Sequence, residues 1–178
     1  MSTIAQHETA LPTGTFVADT VHSNLGFEVQ YAVASFTGNV TDFEASLVDG
    51  RLEGSAKIES LQTREENLQA HLLSPEFFDA ERNPTVSFTG DLARDGDTAT
   101  VEGELTMKGI TRPVTLRGAI TGPAVDHFGA TRVGLKLETT VDRTEFDMKW
   151  NMPLPNGEPA LSNDVTLKAD LTLVAQEA

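Results

Sequence analysis

Apolar and polar residues alternate one for one along most of this chain. In Val101-Glu102-Gly103-Glu104-Leu105-Thr106-Met107-Lys108, and again in Val165-Thr166-Leu167-Lys168-Ala169-Asp170-Leu171-Thr172-Leu173, every second position is apolar or small and those between are mostly charged or hydroxylic. A period of two belongs to a strand with one dry and one wet face. The same rule predicts strands at 15–20, 25–34, 36–47, 51–58, 85–92, 99–107, 114–121, 133–141 and 165–174. Asp49-Gly50, Asp95-Gly96-Asp97, Gly109-Ile110-Thr111-Arg112-Pro113 and the 122–129 segment supply the turns between them. The alternation breaks once. Thr63-Arg64-Glu65-Glu66 fits a capping box and predicts a helix over 64–72, and Ser74-Pro75 then starts a short turn carrying Phe77 and Phe78, adjacent aromatics that read as a plug. The expected fold is all-β, about eight or nine antiparallel strands with a short helical insertion. Such strands either stack as two sheets or close on themselves, and closure leaves an apolar interior whose use becomes the functional question.

With 178 residues and no charge block or linker to divide them, one domain is expected over 14–178 behind a flexible polar arm at 1–13. The absence of cysteine removes disulfides, thiolate metal sites and cysteine nucleophiles together. A net charge of -14 repels phosphate backbones and anionic surfaces, so nucleic acid is not an expected partner. No stretch is long and apolar enough to span a bilayer, and the first ten residues do not read as a secretory leader; the expectation is a cytoplasmic protein not embedded in a membrane. The stretch 148–163, with Trp150, Pro153, Pro155, Gly157 and Pro159, has no clear assignment and reads as a functional or mobile loop.

Four segments in order resemble landmarks of the YceI-like family. They are Asp19-Thr20-Val21-His22-Ser23-Asn24-Leu25-Gly26-Phe27; Leu73-Ser74-Pro75-Glu76-Phe77-Phe78-Asp79 with Asn83-Pro84-Thr85-Val86-Ser87-Phe88; Gly103-Glu104-Leu105-Thr106-Met107-Lys108-Gly109-Ile110-Thr111-Arg112-Pro113-Val114; and Asp142-Arg143-Thr144-Glu145-Phe146-Asp147. The resemblance runs from about Thr15 to the carboxyl end. It implies a single eight-stranded, antiparallel, lipocalin-like barrel with a helical insertion, whose members bind polyisoprenoids or related amphiphiles centrally, and it implies no catalytic activity. The chain departs from the family in carrying Tyr31 where members often have a histidine, and in lacking a leader that many members carry.

A strand of seven or eight residues at about 3.3 Å per residue gives a barrel about 25 Å tall, comparable to several isoprene units. The expected lining is Phe27, Val29, Tyr31, Phe43, Phe88, Leu105, Met107, Leu116, Leu135, Leu137 and Phe146, with Phe77, Phe78, Phe128, Trp150 and Met152 near an opening. Each of these also has a plain core-filling role open to it. His22 is expected to orient a turn or meet a ligand's head group. Arg143 reads first as part of a solvated cluster with Glu145 and Asp147, and second as a buried cation holding a polar ligand end. Asp19, His22 and Ser23 have the residue types of a catalytic triad, but neighbours on a strand face opposite ways. His7, His22, His71 and His127 lack metal-ligand spacing, so neither metal nor cofactor is expected. Three functions follow: a carrier for an isoprenoid, quinone-like or fatty-acyl tail; an enzyme using the barrel as a chamber with His22 or His127 as acid or base; and a scaffold in which Trp150 and the proline loop meet a protein partner or form a homodimer.

Overall fold

The structure, a computed structural model, describes residues 10–177. The alternating segments form β1 (Thr15–Ala18), β2 (Asn24–Tyr31), β3 (Ala34–Val40), β4 (Phe43–Val48), β5 (Arg51–Lys57), β6 (Leu61–Gln62), β7 (Thr85–Asp95), β8 (Thr98–Met107), β9 (Ile110–Val125), β10 (Thr131–Asp142) and β11 (Leu161–Ala175). Helix α1 (Glu66–Leu73) lies between β6 and β7. Strands β1, β4, β5, β7, β8, β9, β10 and β11 pair antiparallel in that order, and β11 pairs back to β1, closing an eight-stranded barrel.

Closure depends on β11 serving two partners on one edge. Its last residues pair with β1 (Phe16 opposite Ala175), while its earlier residues pair with β2 (Leu161 opposite Tyr31 through Asp170 opposite Asn24). Thus β1 and β2 are two halves of one interrupted strand, and β3 extends the β2 half outward. The segment 36–47, expected as one strand, breaks at the same level. Ser60 Oγ accepts the amides of Thr41 (3.2 Å) and Asp42 (2.9 Å), taking both out of the ladder. That hydroxyl interaction, invisible in the alternation, separates β3 from β4.

Turn chemistry follows the residues. Asp49 and Gly50 both have positive φ (48° and 89°), the hairpin geometry that an Asp-Gly pair favours, and Lys108-Gly109 repeats it at 52° and 75°. The second turn is tighter than the connection expected over 109–113. Strand β9 therefore starts at Ile110 and carries Pro113 within it, opposite Glu104. The helix also starts later than expected. The chain is still extended at Glu65 (φ -133°, ψ 124°), and it is the Glu65 carboxylate, not the Thr63 hydroxyl, that accepts the amides of Asn67 (3.0 Å) and Leu68 (2.8 Å). Thr63 Oγ1 instead donates to the Glu65 carbonyl.

Inward residues form two clusters. At one end Leu47, Val101, Ile120, Val133, Leu135 and Leu173 are almost fully buried and fill the barrel solidly. At the other, Val29, Leu61, Leu72, Phe77, Phe146 and Met148 pack beneath α1 and the 148–160 loop. Of the expected arm, residues 1–9 lie outside the described residues; Pro12 is buried.

Candidate functional site

Between the two packed clusters the barrel is hollow. A cavity of about 180 Å³ is lined by residues of every strand but β1. Small side chains create it: Ala45, Gly54, Ala56 and Ala169 hold inward positions where strands of this type usually carry larger residues. A single water takes about 10–15 Å³ on this measure, so the void far exceeds a packing defect. Its walls are almost wholly apolar, and its boundary reaches the exposed Glu44, Glu53 and Lys168. A second chamber of about 60 Å³ lies toward α1, bounded by Val29, Phe36, Leu72, Phe77 and Met148 among others. Four residues, Phe27, Phe78, Met107 and Leu167, belong to both walls and separate the two spaces.

The upper chamber is closed by a cap that Arg143 ties down. Arg143 is 3% exposed, and its guanidinium donates to the carbonyls of Met148 (2.6 Å), Trp150 (2.8 Å) and Ser162 (2.9 Å), with longer contacts to Leu161 and Asn163. Among the described residues no carboxylate pairs with it directly, and burial pushes its pKa down against the weaker opposing pull of Asp142. Asn151 adds a second tie, donating to Leu161 O (2.7 Å) and accepting from Leu161 N (2.9 Å). Trp150 then packs edge-on to His71 of α1 (4.6 Å between centroids), and His71 likewise meets Phe77 (4.9 Å). Helix, plug and loop thus form one lid.

At the opposite end an ion network joins two loops. Arg132 donates to Asp126 (2.6 Å) and Asp19 (3.0 Å), and His22 Nδ1 lies 2.7 Å from Asp19. The His22 hydrogen bond, then Arg132, hold the Asp19 carboxyl down to about 2; Arg132 chiefly holds Asp126 below the usual range. Near the cap, Asp142 is lowered by accepting from the Thr144 hydroxyl and amide. Ser23 does not complete a triad, because its Oγ accepts from the Thr172 amide (2.9 Å) rather than meeting His22. Among the described residues, no group of three or more His, Asp or Glu side chains is placed to hold a metal ion, and no helix is long and apolar enough to cross a membrane.

The family model described as the YceI-like domain matches residues 16–173. The chain belongs to the YceI-like family. A UPF0312 protein of Photorhabdus laumondii is 28% identical over 140 residues, covering 74% of this chain and 73% of the relative. Protein YceI of Escherichia coli is 28% identical over 131 residues, covering 72% and 69%. Among solved structures, the Campylobacter jejuni YceI protein superposes with a TM-score of 0.70 at 23% identity, covering 82% of this chain and 88% of that one. A polyisoprenoid-binding domain from Saccharophagus degradans gives 0.67 at 11% identity, covering 93% and 100%. At those identities the structural likeness establishes the barrel.

The YceI-like barrel divides the expected lining residues into four groups. Phe27, Phe78, Phe88, Leu105, Met107, Leu116 and Leu137 face the main cavity, while Val29, Phe77 and the Arg143 side chain bound the upper chamber. Phe43, Leu135 and Phe146 are buried in the packed clusters, and Trp150 packs against the lid; none touches either space. Tyr31 (39% exposed), Met152 (52%) and Phe128 (89%) are surface residues, as is His22 beside Asp19. Each of the three lies outside for a local reason. Tyr31 sits where the β2–β11 register shifts, Met152 precedes a bridge between Pro153 and Pro159, and Phe128 tops the β9–β10 turn that Asp126 Oδ1 staples. The solvated-cluster reading of Arg143 is also overturned, since its guanidinium is buried on backbone carbonyls. Leu25, Leu52, Leu61, Leu167 and Leu171 line the cavity beyond the expected set, although the same alternation marks most of them.

Proposed function

We propose that this protein holds the tail of a long-chain hydrophobic or amphiphilic molecule, of isoprenoid, quinone or fatty-acyl type, inside its barrel, for storage or transport. The observation that carries this reading is the apolar cavity of about 180 Å³ within a barrel whose lower end is packed solid. The space is smaller than the ~300–1,000 Å³ of sites for drug-sized ligands, which favours a slim flexible tail over fused rings. At about 0.8 kcal/mol per buried methylene, ten methylenes contribute about 8 kcal/mol, the scale of a micromolar complex. The description of the Saccharophagus degradans domain as polyisoprenoid-binding supports the same ligand class. The Asp19–His22 pair lies on the surface, so no acid or base group faces the void from there.

Native mass spectrometry and solvent extraction of protein purified without detergent test the proposal. The expected result is a stoichiometric apolar adduct, or saturable uptake of farnesol or palmitate after delipidation. Protein that carries nothing and takes up neither probe overturns it.

A further inference from the structure

The two chambers are not one tunnel, and what divides them has its own chemistry. Phe27 comes from β2, Leu167 from β11, Met107 from the end of β8 and Phe78 from the turn after α1, so four separate segments converge on one level. Phe27 and Leu167 are direct cross-strand neighbours, and Phe36 braces the Phe27 ring edge-on at 6.2 Å. The Phe27 ring is folded flat against the wall because the residue opposite it on β3 is Gly38. A Cβ at Gly38 would stand 2.5 and 2.6 Å from two ring carbons, so any side chain there drives the ring toward the lumen. Phe78 is set by its turn, its amide donating to Leu72 O (3.0 Å). Met107 is the one flexible member, and it is 5% exposed.

The two sides of this level are bounded differently. The upper chamber lies beneath the lid tied by Arg143 and Asn151, whereas the boundary of the main cavity reaches exposed Glu44, Glu53 and Lys168. We infer that Phe27, Phe78, Met107 and Leu167 form a collar that stops the end of a tail occupying the main cavity, and so set the longest chain the protein shields. The inference rests on the proposed lipid-holding function and deepens it: the tails shielded are those below a fixed length. The upper chamber, about a third the volume of the main one, is the reserve that opens when the collar is widened.

The test uses delipidated full-length protein and a series of saturated primary alcohols from octanol to octadecanol, with dissociation constants from displacement of a fluorescent fatty acid. In the unaltered protein affinity is expected to rise about fourfold per added methylene and then level off, since methylenes beyond the collar are not buried. Phe78→Ala moves the levelling point to longer chains, and Gly38→Ala moves it to shorter ones by pushing the Phe27 ring inward. Phe27→Leu, which keeps the site filled with a smaller side chain, guards against a folding defect in Phe78→Ala and also moves the point to longer chains. The same levelling point in folded protein of all four forms overturns the collar while leaving the lipid-holding reading intact. Failure of every form to bind any alcohol removes that reading itself, and the collar with it.

Discussion

Arg143 holds more of the lid than any other side chain, and replacing it with methionine should loosen that lid measurably. Methionine keeps most of the stem's volume and removes every donor, so the carbonyls of Met148, Trp150 and Ser162 lose partners at 2.6, 2.8 and 2.9 Å. A hydrogen bond from a charged group contributes about 1.5–3 kcal/mol, and an orphaned buried acceptor costs about 1–3 kcal/mol. Three such bonds set a gross loss of about 4.5–9 kcal/mol. Relief of the guanidinium's own desolvation offsets part of it, leaving about 3–5 kcal/mol, within the cost of orphaning three buried acceptors at about 1–3 kcal/mol each. For a chain of this size each kcal/mol moves the melting temperature by about 2–4 °C, so a fall of about 6–20 °C is expected in calorimetry. Hydrogen exchange should localise the change to 148–163, leaving the amides that flank Val133 in the packed end of β10 unaffected. A melting temperature within about 2 °C of the unaltered protein, with unchanged exchange over 148–163, refutes the assignment of Arg143 as the lid's anchor.

Two further outcomes follow from other parts of the molecule. Asp19, Asp126 and Asp142 all have carboxyls held below their ordinary range in the folded state, Asp19 to about 2. The folded form therefore binds fewer protons than the unfolded one at acid pH, and the stability these groups add is complete above about pH 4 and lost as pH falls toward 2. Arg132→Gln should flatten the melting temperature's dependence on pH in that window, with His22 retaining part of the Asp19 effect; an unchanged slope counts against the network. Phe128→Ser should leave the stability within about 0.5 kcal/mol and tail binding unaltered, because Phe128 is 89% exposed on a stapled turn. Loss of binding in that variant would put the mouth of the cavity at the β9–β10 turn instead.

The period of two makes the barrel's wall legible because inward and outward positions are set by backbone geometry alone. It names Phe27, Phe88, Leu105 and Leu137 as inward, and each lines the cavity. Whether an inward residue faces space or packing is not legible, since that depends on what stands across the lumen. Leu135 and Leu137 alternate identically on β10, yet Leu135 is packed at 0% exposure and Leu137 faces the void left by small residues on other strands. The loop aromatics Phe128 and Trp150 have no period to place them, and the first faces solvent while the second packs on His71. Arg143 escapes because a guanidinium satisfied by backbone carbonyls leaves no charged partner in the sequence to find.

Strand β11 is the last of the eight ring strands in chain order, and it is the one that meets both the first strand and β10. Ser23 and Thr172, bonded at 2.9 Å, stand 149 residues apart along the chain. Assembly is thus governed by distant rather than local encounters, which places this domain among slow-forming topologies. Until 161–175 arrives, β1 and β10 both expose unsatisfied edges beside an oily trough. Deleting that segment cannot yield a smaller working container; it leaves a curved, sticky sheet.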